Sequence, residues 1–338
     1  MKRILISIIS DQTIPNLLLI QELKEEYDCQ VFISTPKMEQ DGKSNWIEKA
    51  AGIEPGYVPR IVVDENKWAD ISQKLSNYPW PKDSTFIVNL TGGTKVMTLA
   101  VYGYFALPGN RITYIPIGRN QLEELYPDSS VSAIPINYRL KLAEYLLAHG
   151  IIFTKKDKSV KSFNELQHIY KSFRNLNYDV SRLNGDYPNG WKNYYTGTWF
   201  EEYLYYTIKR DLQLDDDAIF MSVSLKHFNQ GNPSGTDKEL DIVFTQANEL
   251  YFVEAKVSLG NSLKTKDILD KTMFKLSAVN RHFGLRSHAH IITLADISGG
   301  TGIILSNLHR KAKVLDITAV LDRNNLVRED FSFSKLIT

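Results

Sequence analysis

Lys238-Glu239-Leu240-Asp241-Ile242-Val243-Phe244 and Leu250-Tyr251-Phe252-Val253-Glu254-Ala255-Lys256 are two short runs rich in β-branched and aromatic residues, separated by a polar stretch from Gln246 to Glu249. That pattern predicts a β-hairpin. Side chains alternate between the two faces of a strand. Glu254 and Lys256 therefore share one face, and the small, apolar Ala255 takes the other. Asp241, upstream on the partner strand, is expected to lie across from that pair. An unpaired charge is costly to bury, so three charged residues in an apolar hairpin need a reason. A salt bridge on a solvated face is one. The other is chemistry. Two carboxylates hold a hard divalent cation through oxygen. The cation activates water and stabilises charge on a scissile phosphate, and a neighbouring lysine orients the water or neutralises the developing charge. The position of Asp241, the apolar run leading into Glu254, and a preceding helix with Glu201 and Glu202 favour the second reading.

With these residues in place, the stretch resembles the PD-(D/E)XK nuclease superfamily. Asp241 matches the motif's Asp, and Glu254-Ala255-Lys256 matches (D/E)-X-K. Gly197-Thr198-Trp199-Phe200-Glu201 is similar to the helical glutamate motif of many members, although Leu240 stands where the motif has Pro. The expected order of helix, three strands, helix and strand also fits that core. On this resemblance Asp241 and Glu254 hold Mg2+ or Mn2+, Glu201 joins directly or through water, and Lys256 acts at the phosphate. Glu201 is expected to face the site and Glu202 the solvent.

Composition sets the outer limits. The chain has 338 residues, enough for two domains, with 43% hydrophobic and 23% charged residues. That is a globular rather than a disordered balance. A net charge of +1 offers no global attraction for nucleic acid, so any such binding needs a local basic patch. One cysteine, Cys29, excludes a disulfide within the chain, and a cytoplasmic location is the natural expectation. Met1-Lys2-Arg3 followed by Ile4 to Ile9 faintly resembles a signal peptide, but the apolar run stops at Ser10-Asp11 and reads as a buried first strand. No apolar stretch approaches the roughly 20 residues a membrane-spanning helix needs.

The first half alternates strand and helix patterns. Strands are expected over Arg3–Ile9, Cys29–Ser34, Arg60–Val63, Thr85–Leu90 and Arg111–Ile117, and helices over Ile14–Glu26, Ser44–Ala51, Asn66–Ser76 and Thr94–Ala106. Near-continuous apolar strands between helices imply a parallel sheet covered on both faces, with ligands beyond the carboxyl ends of its strands. Two such ends carry a signal: Ser10-Asp11-Gln12-Thr13, and Asn89-Leu90-Thr91-Gly92-Gly93-Thr94-Lys95. The second offers glycines for close backbone approach, hydroxyl groups, and the start of a helix whose amides attract phosphate. It has neither P-loop nor dinucleotide-fingerprint spacing; as a Gly-Gly pair alone it is a tight turn with a helix cap.

Taken together these stretches are similar to the CARF domain, the sensor of cyclic oligoadenylates in type III CRISPR immunity. Ser10-Asp11-Gln12-Thr13-Ile14-Pro15-Asn16 and Asn89 to Met97 resemble its two ligand-loop motifs, and Phe32 to Met38 resembles the segment after its second strand. A CARF domain followed by a PD-(D/E)XK domain is the layout of effector nucleases activated by cyclic tetra-adenylate. The resemblance implies a Rossmann-like sensor domain over 1–150, a linker and bridging helix over 151–190, and a restriction-endonuclease-like α/β domain over 191–338. It implies a homodimer in which two Gly-Gly loops face one ligand. Ser10, Asp11, Gln12 and Thr13 would contact adenine or ribose. Thr91, Gly92, Gly93, Thr94 and Lys95 would cradle phosphate and ribose, with Thr35 a further candidate. The substrate would be DNA or RNA. Two alternatives stay open: a non-catalytic, nucleotide-responsive regulator that binds nucleic acid, and a ring nuclease that degrades its own activator.

The remaining segments read more plainly. Ser132–Ile136 is a short strand and Asn137–His149 a helix. Lys155–Lys161 is a solvated, linker-like charge run, Asn164–Leu176 a helix, and Asn184–Gly190 a loop. Ala218–Leu225 is a strand, and His227–Thr236 a polar loop. Lys264–Phe283 is a long helix in which Lys271 and Lys275 share a face, equally suited to phosphate contact or to ordinary surface charge. Strands are expected at His288–Thr293 and Lys313–Ile317. His282, His288 and His290 lack metal-ligand spacing and read as structural.

Overall fold

The computed structural model describes residues 2–127, 133–156, 159–175, 194–227, 238–257, 262–297, 302–328 and 331–337. The expected loop 184–190 and most of the loop 227–236 lie outside them, as do the side chains of Lys264 and Lys266. The chain forms two compact units, Met1–Ile152 and Phe153–Thr338. No described helix is long and apolar enough to cross a membrane.

The first unit runs β1 (Arg3–Ile8), α1 (Ile14–Glu22), β2 (Cys29–Ser34), α2 (Pro36–Gln40), α3 (Lys43–Ala50), β3 (Arg60–Val62), α4 (Trp68–Asn77), β4 (Thr85–Asn89), α5 (Lys95–Phe105), β5 (Arg111–Tyr114), β6 (Gln121–Tyr126), β7 (Ile134–Pro135) and α6 (Leu142–Ala148). The sheet order is β3-β2-β1-β4-β5-β6-β7. The first five strands are parallel, and β6 and β7 are added antiparallel. Ile4 to Ile8 of β1 are all buried, as a parallel strand covered on both faces requires. Together these features make a Rossmann-like sheet.

Three expectations shift, each for a visible reason. β5 stops at Tyr114 because the next amide, that of Ile115, donates to Thr91 Oγ1 at 2.9 Å instead of to a strand. The helix expected over 137–149 begins only at Leu142. Before it, the Glu22 carboxylate accepts the amides of Asn137 and Tyr138 at 3.0 and 2.7 Å, and these hold the chain outside a helix. β6 was not expected; Arg111, paired with Glu26 at 2.8 Å and with Glu124 of β6 at 3.0 Å, ties it to the sheet.

The second unit contains β8 (Ile151–Lys156), which begins at the unit boundary, then α7 (Phe163–Asn175), α8 (Trp199–Asp211), β9 (Ile219–His227), β10 (Lys238–Gln246), β11 (Glu249–Lys256), α9 (Ser262–Asn280), β12 (Ser287–Thr293), α10 (Gly302–Val314), β13 (Ala319–Leu321) and α11 (Arg323–Leu326). The sheet order is β13-β12-β11-β10-β9-β8. α8, β9, β10, β11, α9 and β12 follow in the expected order. Lys313–Ile317 is not a strand: helix α10 continues through Val314, and β13 comes later. The stretch read as a solvated charge run and linker begins in edge strand β8, and α7 joins the core of this unit through Leu166 and Phe173, which pack with Trp199 and Phe200.

Candidate active site and ligand crevice

The hairpin β10–β11 pairs Ile242 with Val253 and Gln246 with Glu249. Its two turn residues, Ala247 and Asn248, have φ of 50° and 64°. Positive φ at both central positions is the type I′ geometry, whose twist matches paired strands. Tyr251, Val253 and Ala255 enter the apolar core. The alternation of a strand therefore puts Glu254 and Lys256 on the opposite face. Next to Asp241, Ser222 of β9 has φ 47° and leaves the extended conformation, while Leu240 and Ile242 keep their partners Val223 and Met221.

The charged residues meet at one end of this hairpin. Asp241 Oδ2 accepts the Ala255 amide at 2.7 Å and Lys256 Nζ at 3.2 Å. Lys256 Nζ also reaches Glu254 Oε2 at 2.9 Å. Glu254 is buried, and its second oxygen accepts Lys275 Nζ of α9 at 2.6 Å. Sequence spacing put Lys275 on a face of α9; its hold on Glu254 was not foreseen, because the two residues lie 21 positions apart.

Glu201, half-buried on α8, belongs to the same electrostatic cluster. Burial, then the charge of Asp241, push its carboxyl up to about 7. Burial, then the charge of Glu254, push Asp241 up to about 6. Burial works to lower Lys256, but the charges of Asp241 and Glu254 and its hydrogen bonds to both outweigh it and hold the ammonium above its usual value. Among the described residues no three His, Cys, Asp or Glu side chains are grouped to hold a metal ion. The donor chemistry nevertheless fits a hard cation, with carboxylate oxygens crowded together at a cost to their ionised forms.

Glu202 overturns its expected place in solvent. It is 1% exposed. Its oxygens accept Lys156 Nζ at 3.0 Å, the Val160 amide at 2.8 Å and Tyr194 Oη at 2.8 Å. Of the adjacent glutamates on α8, Glu201 faces the acidic corner and Glu202 fastens Lys156, Val160 and Lys161 to the helix.

In the first unit, β1 and β4 are neighbours whose connections lead to opposite ends of the sheet, the switch point at which open α/β sheets bind ligands. Both notable loops stand there. Asn16 donates to the Ile8 carbonyl at 3.0 Å and accepts Asn89 Nδ2 at 2.8 Å, tying the two strand ends together. Asn89 Oδ1 accepts the amide and hydroxyl of Thr91 at 3.0 and 2.7 Å. Gly92 must be glycine: a Cβ there would lie 2.5 Å from the Ile8 carbonyl oxygen and 2.9 Å from Ser10 Oγ. Gly93 has φ 85°, and a Cβ there would lie 2.5 Å from Ile8 Cγ2. Thr94 caps α5 by accepting the Met97 amide at 3.3 Å, and Lys95 is exposed. Asp11 is exposed and lies 3.6 Å from Lys43, and Gln12 is half-buried. Thr13 is wholly buried, with a hydroxyl that meets no hydrogen-bond partner among the described residues. Thr35 caps α2 by accepting the Met38 amide at 3.2 Å.

Comparison with known proteins places each unit. Residues 4–145 match the family model for the Card1 CARF domain, and residues 190–316 match the one for the Card1-like endonuclease domain. No curated protein matches the chain in sequence. Similar solved structures include protein VC1899 from Vibrio cholerae, with a TM-score of 0.75 at 15% identity over 96% of this chain and 95% of that one. Can2 from Sulfobacillus thermosulfidooxidans, in complex with cyclic tetra-adenylate, gives a TM-score of 0.71 at 15% identity over 99% of both chains. A type III CRISPR defence DNA nuclease activated by cyclic oligoadenylate gives 0.57 at 16% identity, over 86% of this chain and 45% of that one. One family is thus matched in each unit, and the chain joins a Card1 CARF domain to a Card1-like endonuclease domain.

Proposed function

We propose that the protein is a homodimeric, metal-dependent endonuclease switched on by cyclic tetra-adenylate bound between its CARF domains. The observation that carries this reading is the convergence of Asp241, Glu254 and Lys256 within 3.2 Å contacts at the end of one hairpin, in a chain whose other unit has its Gly-Gly loop at a switch point. Asp241 and Glu254 would hold Mg2+ or Mn2+, with Glu201 as a third oxygen donor, directly or through water. Such a cation supplies Lewis-acid stabilisation of the phosphate and an activated water. Lys256, kept charged by the two carboxylates beside it, stabilises the negative charge that grows on the phosphate during attack. Asp241 is itself held in place by the Ala255 amide.

In the CARF unit, the backbone of residues 91–95 and the start of α5 receive phosphate, Lys95 adds a positive charge, and Ser10, Asp11 and Gln12 stand beside it at the end of β1. Thr13 and Thr35 act by shaping the loops, since one is enclosed and the other caps a helix. Directly after the Gly-Gly loop, α5 exposes Leu99 and Tyr102. They lie three residues apart and so on one helix face, which suits a self-complementary contact with a second copy. A ligand that binds the paired sensors unequally in two arrangements shifts the population of the competent one.

The test is cleavage of plasmid, single-stranded DNA and RNA, with and without cyclic tetra-adenylate and Mn2+. Cleavage is expected only with both. It is expected to fall at least about 100-fold in Glu254→Gln and Lys256→Met. Full activity in either variant overturns the site, and breakdown of the activator by Glu254→Gln would move the chemistry to the CARF pocket.

A further inference from the structure

We propose that Lys275 is the resident counter-ion of Glu254, the group that a divalent cation displaces on entering the acidic corner. This rests on the metal-dependent reading above. Both oxygens of Glu254 are occupied by ammonium groups, Oε2 by Lys256 at 2.9 Å and Oε1 by Lys275 at 2.6 Å. Each oxygen keeps a second lone pair, but two ammonium charges within 2.9 Å repel an incoming cation, and the cation gains that carboxylate fully when one of them moves away. The Glu254 side chain is 2% exposed, and a buried carboxylate stripped of its partner is strongly unfavourable. Positive charge must therefore replace positive charge.

The two lysines are unequal in what they lose. Lys256 is bound to a second acceptor, Asp241, at 3.2 Å and its side chain is 24% exposed. It stays beside Asp241 if it leaves Glu254. Lys275 comes from a different element, and its side chain is 38% exposed. A strongly hydrated ammonium on a flexible four-carbon stem swings to water at little cost. Lys275 is thus the one that yields. In the metal-free protein it neutralises the buried Glu254 carboxylate. Once released it is a positive charge at the edge of the corner, where a phosphate arrives. Lys275 is a counter-ion in the first state and a phosphate contact in the second.

The inference predicts an effect opposite to that of removing a ligand: deleting Lys275 tightens metal binding. The experiment measures Mn2+ affinity by isothermal calorimetry on the full-length protein, without activator or nucleic acid. Lys275→Met and Lys275→Gln are expected to bind Mn2+ about 5-fold more tightly than wild type, the size of one partly exposed charge interaction. Lys271→Met, the same charge change on an exposed position of α9, is expected to match wild type. Thermal melting of both Lys275 variants checks the fold, and Lys275→Gln decides the matter if Lys275→Met does not fold. Unchanged or weaker Mn2+ binding in the folded variants overturns the inference and leaves the nuclease reading intact. No Mn2+ binding by wild type overturns the metal reading and the inference together.

Discussion

Glu201 shows how one side chain reports the state of the whole acidic corner. Its carboxyl is raised from 4.5 to about 7 by burial and by Asp241. A group whose folded pKa is raised stabilises the fold below its unfolded pKa, and loses that contribution as pH rises through the folded value. The ionised form is therefore the destabilising one in the metal-free protein. Glu201→Gln mimics the neutral form, so its melting temperature is expected to exceed that of wild type above pH 7, with the gap closing towards pH 4.5. A gap independent of pH would show that Glu201 is not charged against Asp241. The neighbouring residue gives the opposite case. Glu202→Gln leaves Lys156, whose side chain is 34% exposed, without its carboxylate and is expected to cost about 1.5 kcal/mol, or roughly 5 °C in melting temperature for a unit of this size. Thermal denaturation across both substitutions separates the two glutamates: one gains stability, the other loses it. The sequence distinguished their directions for only one of them. Glu201 follows an aromatic pair in a motif, whereas two of the partners of Glu202, Val160 and Lys156, lie 42 and 46 positions upstream, and no local pattern announces contacts at that range.

The hairpin was the most legible element, because its signals are local: alternation on each strand and polar residues at the turn. Its register fixes the site, since a slip by one residue would turn Glu254 and Lys256 into the apolar core and Ala255 out of it. The turn is also where the sequence departs from the best choice. Ala247 has φ 50° and is exposed, a conformation that costs an alanine about 1 kcal/mol and that Asn adopts more readily. Ala247→Asn is expected to raise stability by up to about 1 kcal/mol, read from the midpoint of urea unfolding, without changing cleavage. A loss of stability would mean that the type I′ turn is not what sets the register. Elements defined by distant partners were hidden. β6 reads Gln-Leu-Glu-Glu-Leu-Tyr, poor in β-branched residues, and is tied in by Arg111 from the adjacent strand. β8 ends in Thr-Lys-Lys, which resembles solvated charge until β9 and Glu202 are placed beside it. β5 was read too long because nothing in Ile115 says that its amide serves Thr91.

At the scale of the molecule, a net charge of +1 means that neither ligand is drawn in by the overall field. In the proposed function, recognition would fall to two local arrangements, amides and Lys95 in one unit, carboxylates and lysines in the other. If the activator works by shifting a two-state equilibrium, the linkage between them is reciprocal: the factor by which cyclic tetra-adenylate tightens nucleic acid must equal the factor by which nucleic acid tightens cyclic tetra-adenylate. Lys256→Met, expected to bind without cutting, allows both to be measured by calorimetry in the presence of Mn2+ with one short oligonucleotide. Equal factors above one are the expected result. Gly92→Ala, whose Cβ would lie 2.5 Å from the Ile8 carbonyl oxygen, is expected to abolish the activator's effect while leaving Mn2+ affinity unchanged. If both factors are one and the activator still speeds cleavage by wild type, substrate binding is not the coupled step. The two-state element then acts on the chemical step, and the acidic corner, rather than the nucleic-acid surface, is what the sensor rearranges.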